Sequence, residues 1–251
     1  ENILRETNEI DLTPFELIIT TALKYFDESN VEVLVLETGL GGRLDATTAH
    51  NYRPIIVIGG IGLDHCEHLG NTLEEIAKEK AAVITAGSLV LSVKQEPIVM
   101  KVLEEVSKIK NATIQYIKPL NKSWVLGIPG QIQQENAAVA KEAIEALSNL
   151  GFNIKKEHIK QGLAAANWPG RLQVAFWHDL PLIVDGAHNV HAAKQLSKER
   201  LNWRNNNNGI NWILAIQRNK NANLMLRELI KPNDCVWIIK VPEHKSWSKK
   251  E

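Results

Sequence analysis

The chain has 251 residues, of which 44% are hydrophobic and 23% are charged, and this balance excludes a collagen-like, coiled-coil or disordered protein. Its 29 basic and 29 acidic side chains cancel, so the chain lacks the basic footprint of a nucleic-acid-binding protein. The balance hides an asymmetry, because residues 1–119 hold 11 basic and 18 acidic side chains whereas residues 120–251 hold 18 and 11. Two halves of opposite charge are able to face each other across a cleft.

The two cysteines, Cys66 and Cys235, are too few for a disulfide framework, and their scarcity predicts a cytoplasmic protein. No apolar run approaches the ~18 residues of a membrane-spanning helix, so no membrane partner is expected. The sequence opens at Glu1 in a stretch typical of the middle of a protein. We therefore expect a fragment of a longer chain.

The first two thirds of the chain alternate between helix-like and strand-like segments. Thr13 and Pro14 are a typical start for a helix over 14–28. The apolar, β-branched run 31–37 that follows is typical of a buried parallel strand. The same patterns predict strands at 55–60, 88–93 and 112–117 and helices at 72–86, 96–108, 133–149 and 155–165. This alternation predicts an α/β fold.

A Pro-Gly break within residues 167–171 precedes a second alternating region and predicts a domain boundary there. The polar tract 205–208 within this region is predicted to be a loop. The expected elements are strands near 172–177, 181–185, 211–217 and 235–240 and helices near 190–200 and 221–230. In this order they predict a small parallel sheet.

Glu37 ends the first predicted strand, and the glycines Gly39, Gly41 and Gly42 follow it. In nucleotide-hydrolysing α/β proteins a carboxylate at this place holds magnesium, and glycines let the backbone approach an anion. The alternative is a solvated strand end followed by a turn. Leu44 stands at the third glycine position of a dinucleotide fingerprint, which excludes that motif.

The segment after the strand at 55–60 is rich in metal-ligating side chains between Asp64 and His68. A metal-dependent hydrolase using Asp64, His65 and His68 is one hypothesis. The alternative is a polar loop that caps the next helix.

Lys80 lies at helical spacing from Ile76 and Ile84, which places a lysine on an apolar face. Either its side chain extends along that face to solvent, or the lysine is buried and is charge-paired or chemically modified.

A third constellation follows the predicted buried strand at 181–185. This strand ends in Asp185, and His188 and Asn189 stand at the start of the next helix. Asp185 or Asn189 can cap that helix. Alternatively, Asp185 forms a wall of an interdomain nucleotide site, with Arg171 near the same junction.

Taken together, these segments resemble the folylpolyglutamate synthase and dihydrofolate synthase family of Mur-type ATP-dependent amide ligases. The resemblance rests on the order of five blocks, which are ETGLGGRLDATT (37–48), GLDHCEHLGNTLEEIAKEKAAVI (62–84), QIQQENAAVA (131–140), WPGRLQ (168–173) and DGAHN (185–189). It implies a Mur-ligase-like α/β fold: a partial, parallel-sheet ATPase-type domain at 1–167 that binds ATP and magnesium, then a partial, smaller Rossmann-like domain at 168–251.

The resemblance also implies roles for individual residues. Glu37 and His65 match magnesium ligands of the family and Lys80 matches its carbamylated lysine, so these three are the expected catalytic residues. The residues expected to bind the nucleotide are Gln133, Asn136, Arg171, Asp185 and His188.

The implied reaction adds L-glutamate to dihydropteroate or to folate polyglutamate. ATP phosphorylates a folate carboxylate, and the amino group of glutamate attacks the acyl phosphate. The implied cofactor is Mg²⁺, the partners are the small molecules ATP, glutamate and dihydropteroate or folate, and the expected state is a monomer without nucleic acid or membrane.

The sequence departs from the family in one important respect. The family's phosphate-binding loop ends in Gly-Lys-Ser, and no Gly-Lys pair occurs in this chain. The chain also ends before the usual C-terminal strands and helices. The alternative function is therefore a non-catalytic folate- or nucleotide-binding module derived from the ligase.

Overall fold

A computed structural model describes residues 12–203 and 209–248 of the protein, and the predicted loop at 205–208 lies outside them. Helices and strands alternate along the chain, which confirms the α/β prediction. The helices are α1 (Pro14–Glu28), α2 (Cys66–Leu69), α3 (Leu73–Ala81), α4 (Pro97–Ile109), α5 (Gln131–Ala146), α6 (Lys156–Ala165), α7 (Val190–Glu199) and α8 (Ala222–Leu229). The strands are β1 (Ile55–Ile58), β2 (Leu89–Val93), β3 (Thr113–Ile117), β4 (Gln173–Trp177), β5 (Leu180–Val184), β6 (Asn211–Leu214) and β7 (Cys235–Ile238).

A parallel sheet in the order β1-β2-β3 organises the first part of the chain. The central strand β2 is an apolar run in which Val90 and Leu91 are buried, as expected for a parallel strand with both faces covered. Helix α5 packs on all three strands, and α3 packs against α4. The carboxyl end of β1 leads directly into the segment with Asp64 and His65.

Helix α3 shows why local sequence signals place a helix start better than its end. Thr72 caps the helix and Glu75 completes a capping box, as its spacing indicates. The predicted end at residue 86 is wrong, because regular hydrogen bonding stops at Ala81 and the amide of Ile84 donates to the Ala81 carbonyl in a tightened turn. This turn still buries Ile84 in the core.

The predicted buried strand at 31–37 is wrong within the described residues. This segment forms no strand, and Val35 is 87% exposed. A strand needs a neighbour for its backbone hydrogen bonds, and the described sheet of β1, β2 and β3 places none beside this segment. The apolar pattern therefore indicates strand propensity without determining the pairing.

The prediction of one small parallel sheet in the second part is also wrong for its first two strands. β4 and β5 form an antiparallel hairpin, whereas β6 and β7 pair in parallel. The hairpin turn consists of His178 and Asp179, whose φ values are 44° and 64°, and two such residues suit a tight hairpin. The predicted burial of the strand before Asp185 is wrong as well, because every residue of β5 is exposed.

None of the helices in the described part of the chain is both long and apolar enough to span a bilayer.

Candidate functional site at the junction of two hydrophobic clusters

The described residues contain two separate hydrophobic clusters. One is built around Ile76, Val90 and Leu103, and the other around Trp212 and Met225. We call residues 12–167 the N-terminal part and residues 168–248 the C-terminal part. Two of the sequence-predicted site residues, His65 and His188, line a cavity where these two parts meet.

Asp64 makes the most direct connection between the two parts. Its Oδ1 accepts a hydrogen bond from Lys220 Nζ at 3.0 Å, and its Oδ2 accepts one from Asn189 Nδ2 at 2.7 Å. Burial alone would raise the pKa of the Asp64 carboxyl, but the hydrogen bonds from Lys220 and Asn189 outweigh burial and lower it. Asp64 is therefore ionised and fixed at neutral pH.

The start of helix α7 is held by the same contacts. Asn189 caps α7 by accepting from the Ala192 amide at 2.7 Å while its side-chain amide donates to Asp64. The His188 Nδ1 lies 2.9 Å from the Gly186 carbonyl, and the His188 Nε2 lies 3.5 Å from Asp64 Oδ2. Asn189 rather than Asp185 is thus the helix cap, and the nucleotide-site role of Asp185 stays a prediction.

Helix α7 also packs tightly on the loop after β1. A Cβ atom at Gly62 would lie 2.5 Å from the Cβ of His191, so the two backbones can approach this closely only because residue 62 is glycine. Gln95 holds the same loop: it donates to the Gly59 carbonyl at 2.7 Å and accepts from the Ile61 amide at 3.0 Å. Burial lowers the pKa of His191, so its imidazole is neutral in this contact.

The other end of α7 reaches the helix that carries Gln133 and Asn136. The buried carboxylate of Glu199 accepts hydrogen bonds from the Gln131 amide, at the start of α5, and from Asn202. A carboxylate is stabilised at a helix N-terminus by the unpaired amides and the helix dipole. Within α5, Asn136 donates to Gln133 at 3.2 Å, which places these two predicted nucleotide-binding side chains side by side.

A cavity of about 330 Å³ opens between the two parts. His65 lines it from the N-terminal part, and His188 and Lys220 line it from the C-terminal part. Its remaining walls are formed mainly by apolar side chains and include Ile216, Met225 and Val241. Two histidines, Lys220 and the amide side chain of Gln217 thus line a partly apolar cavity of a size that suits part of a small-molecule substrate.

Lys80 lies half-buried between Ile76 and Ile84 on the core side of α3. Burial lowers the pKa of its ammonium group, and the nearby carboxylate of Asp64 opposes that effect. This environment differs from that of Lys78, which is exposed and donates to Glu74 at 2.6 Å. Lys80 is therefore half-buried and under the influence of a carboxylate, and its chemical modification stays a prediction.

Two of the three glycines in the loop after Glu37 pack against protein, whereas Gly39 is exposed. Gly41 and Gly42 are buried, and a Cβ atom at Gly42 would lie 2.8 Å from the Glu79 carbonyl of α3. The interpretation of these two glycines as an anion cradle is therefore wrong, because their missing side chains admit the helix that carries Lys80. Glu37 itself is exposed.

Asp185 and Arg171 lie in adjoining loops of the C-terminal part. The Asp185 carboxylate accepts from the amides of Leu172 and Ala187, both at 2.9 Å, and the Gly186 amide donates to the Gly170 carbonyl at 2.7 Å. Asp185 therefore shapes the loop around Arg171, whose own side chain is exposed.

His65 adopts a left-handed backbone conformation with φ of 50°, which is uncommon outside glycine. Its ring lies 3.8 Å from Asp64 Oδ2 and 4.0 Å from Glu67 Oε1. Within residues 12–203 and 209–248, no group of three His, Cys, Asp or Glu side chains converges to hold a metal. The hydrolase hypothesis, which requires Asp64, His65 and His68 to converge, is therefore not supported.

Sequence reasoning did not assign Asp64, Lys220, Asn189 and Glu199 to the expected site. Asp64 and Asn189 are sequence neighbours of His65 and His188, which belong to the expected site, so their position in the sequence is a usable signal. Lys220 and Glu199 carry no local signal, because their partners are 156 and 68 positions away in the sequence.

Comparison with known proteins gives the family. The sequence profile of the C-terminal domain of dihydrofolate synthetase matches residues 172–245. The probable dihydrofolate synthetase of Schizosaccharomyces pombe is 33% identical over 252 residues, which is 89% of this chain and 58% of that protein. The dihydrofolate synthetase of Saccharomyces cerevisiae is 34% identical over 93% of this chain and 60% of that protein.

Solved structures agree with these relatives. Folylpolyglutamate synthase of Mycobacterium tuberculosis, in complex with ADP and AMPPCP, superimposes with a TM-score of 0.84 at 25% identity, over 98% of this chain and 61% of that one. An FPGS–AMPPCP–folate complex gives a TM-score of 0.84 at 24% identity, over 97% of this chain and 64% of that one. The Mur-ligase-like α/β fold predicted from the sequence is confirmed.

The chain spans 58% and 60% of the two yeast relatives. Over the residues that it contains, it belongs to the dihydrofolate synthase and folylpolyglutamate synthase family.

Proposed function

We propose that the protein is an ATP-dependent ligase that adds L-glutamate to dihydropteroate or to folate polyglutamate through an acyl phosphate. One observation carries the proposal: His65, His188 and Lys220 line a single cavity between two α/β parts, and Asp64 binds Lys220 and Asn189 across the same junction. The relatives' names and their complexes with ADP, AMPPCP and folate support the choice of substrates.

The two parts would divide the work of the enzyme. Residues 1–167 are proposed as the partial central ligase domain that binds ATP and magnesium. Residues 168–251 are proposed as the partial C-terminal Rossmann-like domain. The separate hydrophobic clusters on either side of residue 168 support this division, because each domain needs its own core.

Magnesium fits the donor set better than zinc does. Glu37 offers an exposed carboxylate and His65 a half-exposed imidazole, and Mg²⁺ is commonly held by one or two protein ligands with water and phosphate oxygens completing its shell. A structural zinc site would need four protein ligands and a catalytic one three. Glu37 and His65 would therefore hold Mg²⁺, which when bound offsets negative charge on the phosphates.

Lys80 is proposed to carry a carbamate. Carbamylation requires the neutral amine, whose nitrogen bonds to the carbon of CO₂ while a proton leaves, and burial lowers the pKa of Lys80 in this direction. The product is an anion in place of a cation. A carbamate at this position would add a negative oxygen ligand near the magnesium site.

The nucleotide is proposed to lie across the junction. Gln133 and Asn136 would contact it from the N-terminal part, and Arg171, Asp185 and His188 from the C-terminal part. The exposed Arg171 guanidinium suits an interaction with phosphate oxygens. Asp185 already organises the loop before α7, so its contribution includes shaping this face of the site.

We also propose a cytoplasmic monomer that acts on small molecules rather than on nucleic acid. The free state of Cys66 and Cys235 supports a reducing compartment.

The test is ATP consumption by the full-length protein. ADP release that requires both glutamate and an acceptor would support the ligase, and hydroxylamine should trap the acyl phosphate when glutamate is omitted. Parallel reactions with dihydropteroate and with folate would identify the acceptor. Binding of nucleotide or folate without ADP release would instead favour a non-catalytic module.

A further inference from the structure

Asp64 lies outside the set of residues to which the proposed function gives a chemical role. The side chain is 23% exposed and its Lys220 partner is 13% exposed, so the ion pair is largely protected from solvent. Pairs in such surroundings are screened less than surface pairs. The contact is therefore strong enough to influence how the two parts are arranged.

We propose that Asp64 is a positioning residue that fixes the C-terminal part against the N-terminal part and orients His188 and Lys220 at the cavity between them. The consequence for turnover rests on the proposed function, whereas the positioning itself does not.

The two oxygens of Asp64 act on different elements. Oδ1 binds Lys220, in the loop between β6 and α8, and Oδ2 binds Asn189 at the start of α7. One carboxylate therefore fixes the position of the β6–α8 loop relative to helix α7, and the position of both relative to the loop after β1. The backbone amide of His65 also donates to Oδ1 at 2.9 Å, which fixes the carboxylate in its own loop.

The contacts require a carboxylate rather than merely a polar side chain. Both Lys220 and the Asn189 amide donate, so both Asp64 oxygens must accept. An asparagine would place an NH₂ group against one of these donors and would also remove the charge. Asp64→Asn should consequently disrupt the contact although it preserves the side-chain shape.

The charges around Asp64 also support a positioning role. The Asp64 carboxylate lies close enough to Lys80 to influence the pKa of its ammonium. If Lys80 becomes an anionic carbamate, Asp64 faces a second negative charge, and like charges at short range repel. The Lys220 ammonium from the C-terminal part would offset this repulsion and tie the modified site to the closed arrangement.

The first test is amide hydrogen exchange in the 251-residue chain. Asp64→Asn and Asp64→Ala should speed exchange of the Ala192 and Ala193 amides by about tenfold or more, because hydrogen bonds to a charged group are lost. The Gln131 amide, which Glu199 holds at the other end of α7, should change much less. The matched control is Asp27→Asn, an exposed aspartate on α1, which should leave all of these amides unchanged.

A double-mutant cycle asks whether Asp64 acts through Lys220. If it does, Asp64→Ala combined with Lys220→Met should speed exchange little beyond Asp64→Ala alone. Asp64→Glu, which keeps the two acceptors, should recover part of the protection. Unchanged exchange in both Asp64→Asn and Asp64→Ala, or fully additive effects in the cycle, would overturn the positioning role.

A kinetic comparison tests the consequence for turnover. In the full-length enzyme Asp64→Asn should lower kcat by about tenfold while the KM for ATP changes by less than about threefold, because a residue that acts on the closed state affects turnover more than ground-state binding. A loss confined to KM would overturn this consequence. If the exchange results hold and no ligation occurs even in the unmodified protein, the proposed function fails and the positioning role stands.

Discussion

The Lys80 side chain is half-buried, which is uncommon for a lysine. It lies on the buried face of α3, and its pKa is lowered by that burial, so a larger fraction of the amine is neutral than in an exposed lysine. A neutral, shielded amine is able to form and retain a carbamate. We therefore expect carbamylation at Lys80. We do not expect it at the neighbouring Lys78, which is exposed and ion-paired.

Replacement of Lys80 should reveal that chemistry. We expect Lys80→Ala in the full-length enzyme to lower kcat by at least about a hundredfold, the scale of losing one charge-stabilising group. Added short carboxylic acids should restore part of the rate by supplying the missing anion. Lys78→Ala is the control and should retain its rate. Full activity of both Lys80→Ala and Lys80→Arg would contradict the assignment.

Asp234 is the most heavily hydrogen-bonded carboxylate described in the C-terminal part. Its oxygens accept two bonds from Arg200, at 2.6 and 2.7 Å, and others from the amides of Ile210 and Lys231 and from the Trp212 indole. The bonds from Arg200 lower the pKa of Asp234 below its usual range. The side chain is fully shielded from solvent, so this contact supports the fold rather than the site.

Removing that carboxylate should destabilise the protein. Asp234→Ala is expected to lower the free energy of unfolding by about 3 kcal/mol, the cost of breaking a buried ion pair. Urea denaturation measures this change. Glu243→Gln, at an exposed position, is the matched control. A loss for Asp234→Ala no larger than that of the control would show that the Arg200 interaction contributes little.

The same carboxylate predicts a direction for the pH dependence of stability. Because the folded-state pKa of Asp234 is depressed, its contribution is fully present above the unfolded-state value of about 3.9. The contribution is lost as the pH falls from there toward the folded-state pKa. The difference in unfolding free energy between the wild type and Asp234→Ala should therefore shrink on acidification below about pH 4, and a constant difference would contradict it.

At the scale of elements, helix α7 forms the junction. Its start meets Asp64, its first turn packs on Gly62 through His191, and its end meets α5 through Glu199. The hydrophobic pattern predicts such a helix from the sequence, but it does not show that both ends are anchored to another part of the chain. Those anchors depend on residues that only the fold brings together.

Gly62→Ala should push helix α7 away from the loop after β1. The new Cβ would lie 2.5 Å from the His191 Cβ, so helix α7 or the loop must shift, and overpacking of this kind costs about 1–3 kcal/mol. Thermal unfolding should show a lower Tm for Gly62→Ala. Gly59→Ala is the matched control in the same loop, because its Cβ would meet nothing within 4 Å. Equal effects of the two substitutions would contradict the tight packing.

Elements were predictable where local signals decide their structure. The capping boxes at Thr13 and Thr72 give the starts of α1 and α3, and the apolar runs give β1, β2 and β3. The errors occur where pairing decides: the run 31–37 has strand propensity but no described partner, and the turn at His178 makes a hairpin instead of a parallel crossover.

At the scale of the whole molecule, the resemblance proposes site residues, whereas only the structure shows which side chains they contact. The ordered blocks pointed to Glu37, His65, Lys80 and His188, and the structure brings His65 and His188 to one cavity. It also shows that Gly41 and Gly42 serve packing. Long-range partners such as Lys220 lie outside every block, because an ion pair leaves no periodic signal in the sequence.

Nucleotide binding by the chain as it stands is the remaining whole-molecule prediction. The sequence contains no Gly-Lys pair, and in phosphate-binding loops the backbone amides and the lysine together hold the phosphates. The buried Gly41 and Gly42 do not replace such a loop. The triphosphate would then depend on contacts such as those of the exposed Arg171.

We therefore expect Mg²⁺-ATP to bind this 251-residue chain with a Kd of about 1 mM or weaker. Isothermal titration calorimetry measures this affinity directly. Arg171→Ala should abolish the residual binding because it removes a cation from the only proposed phosphate contact that carries a fixed positive charge, whereas Lys78→Ala should leave it unchanged. Micromolar binding that survives Arg171→Ala would show that the chain builds its nucleotide site from other residues.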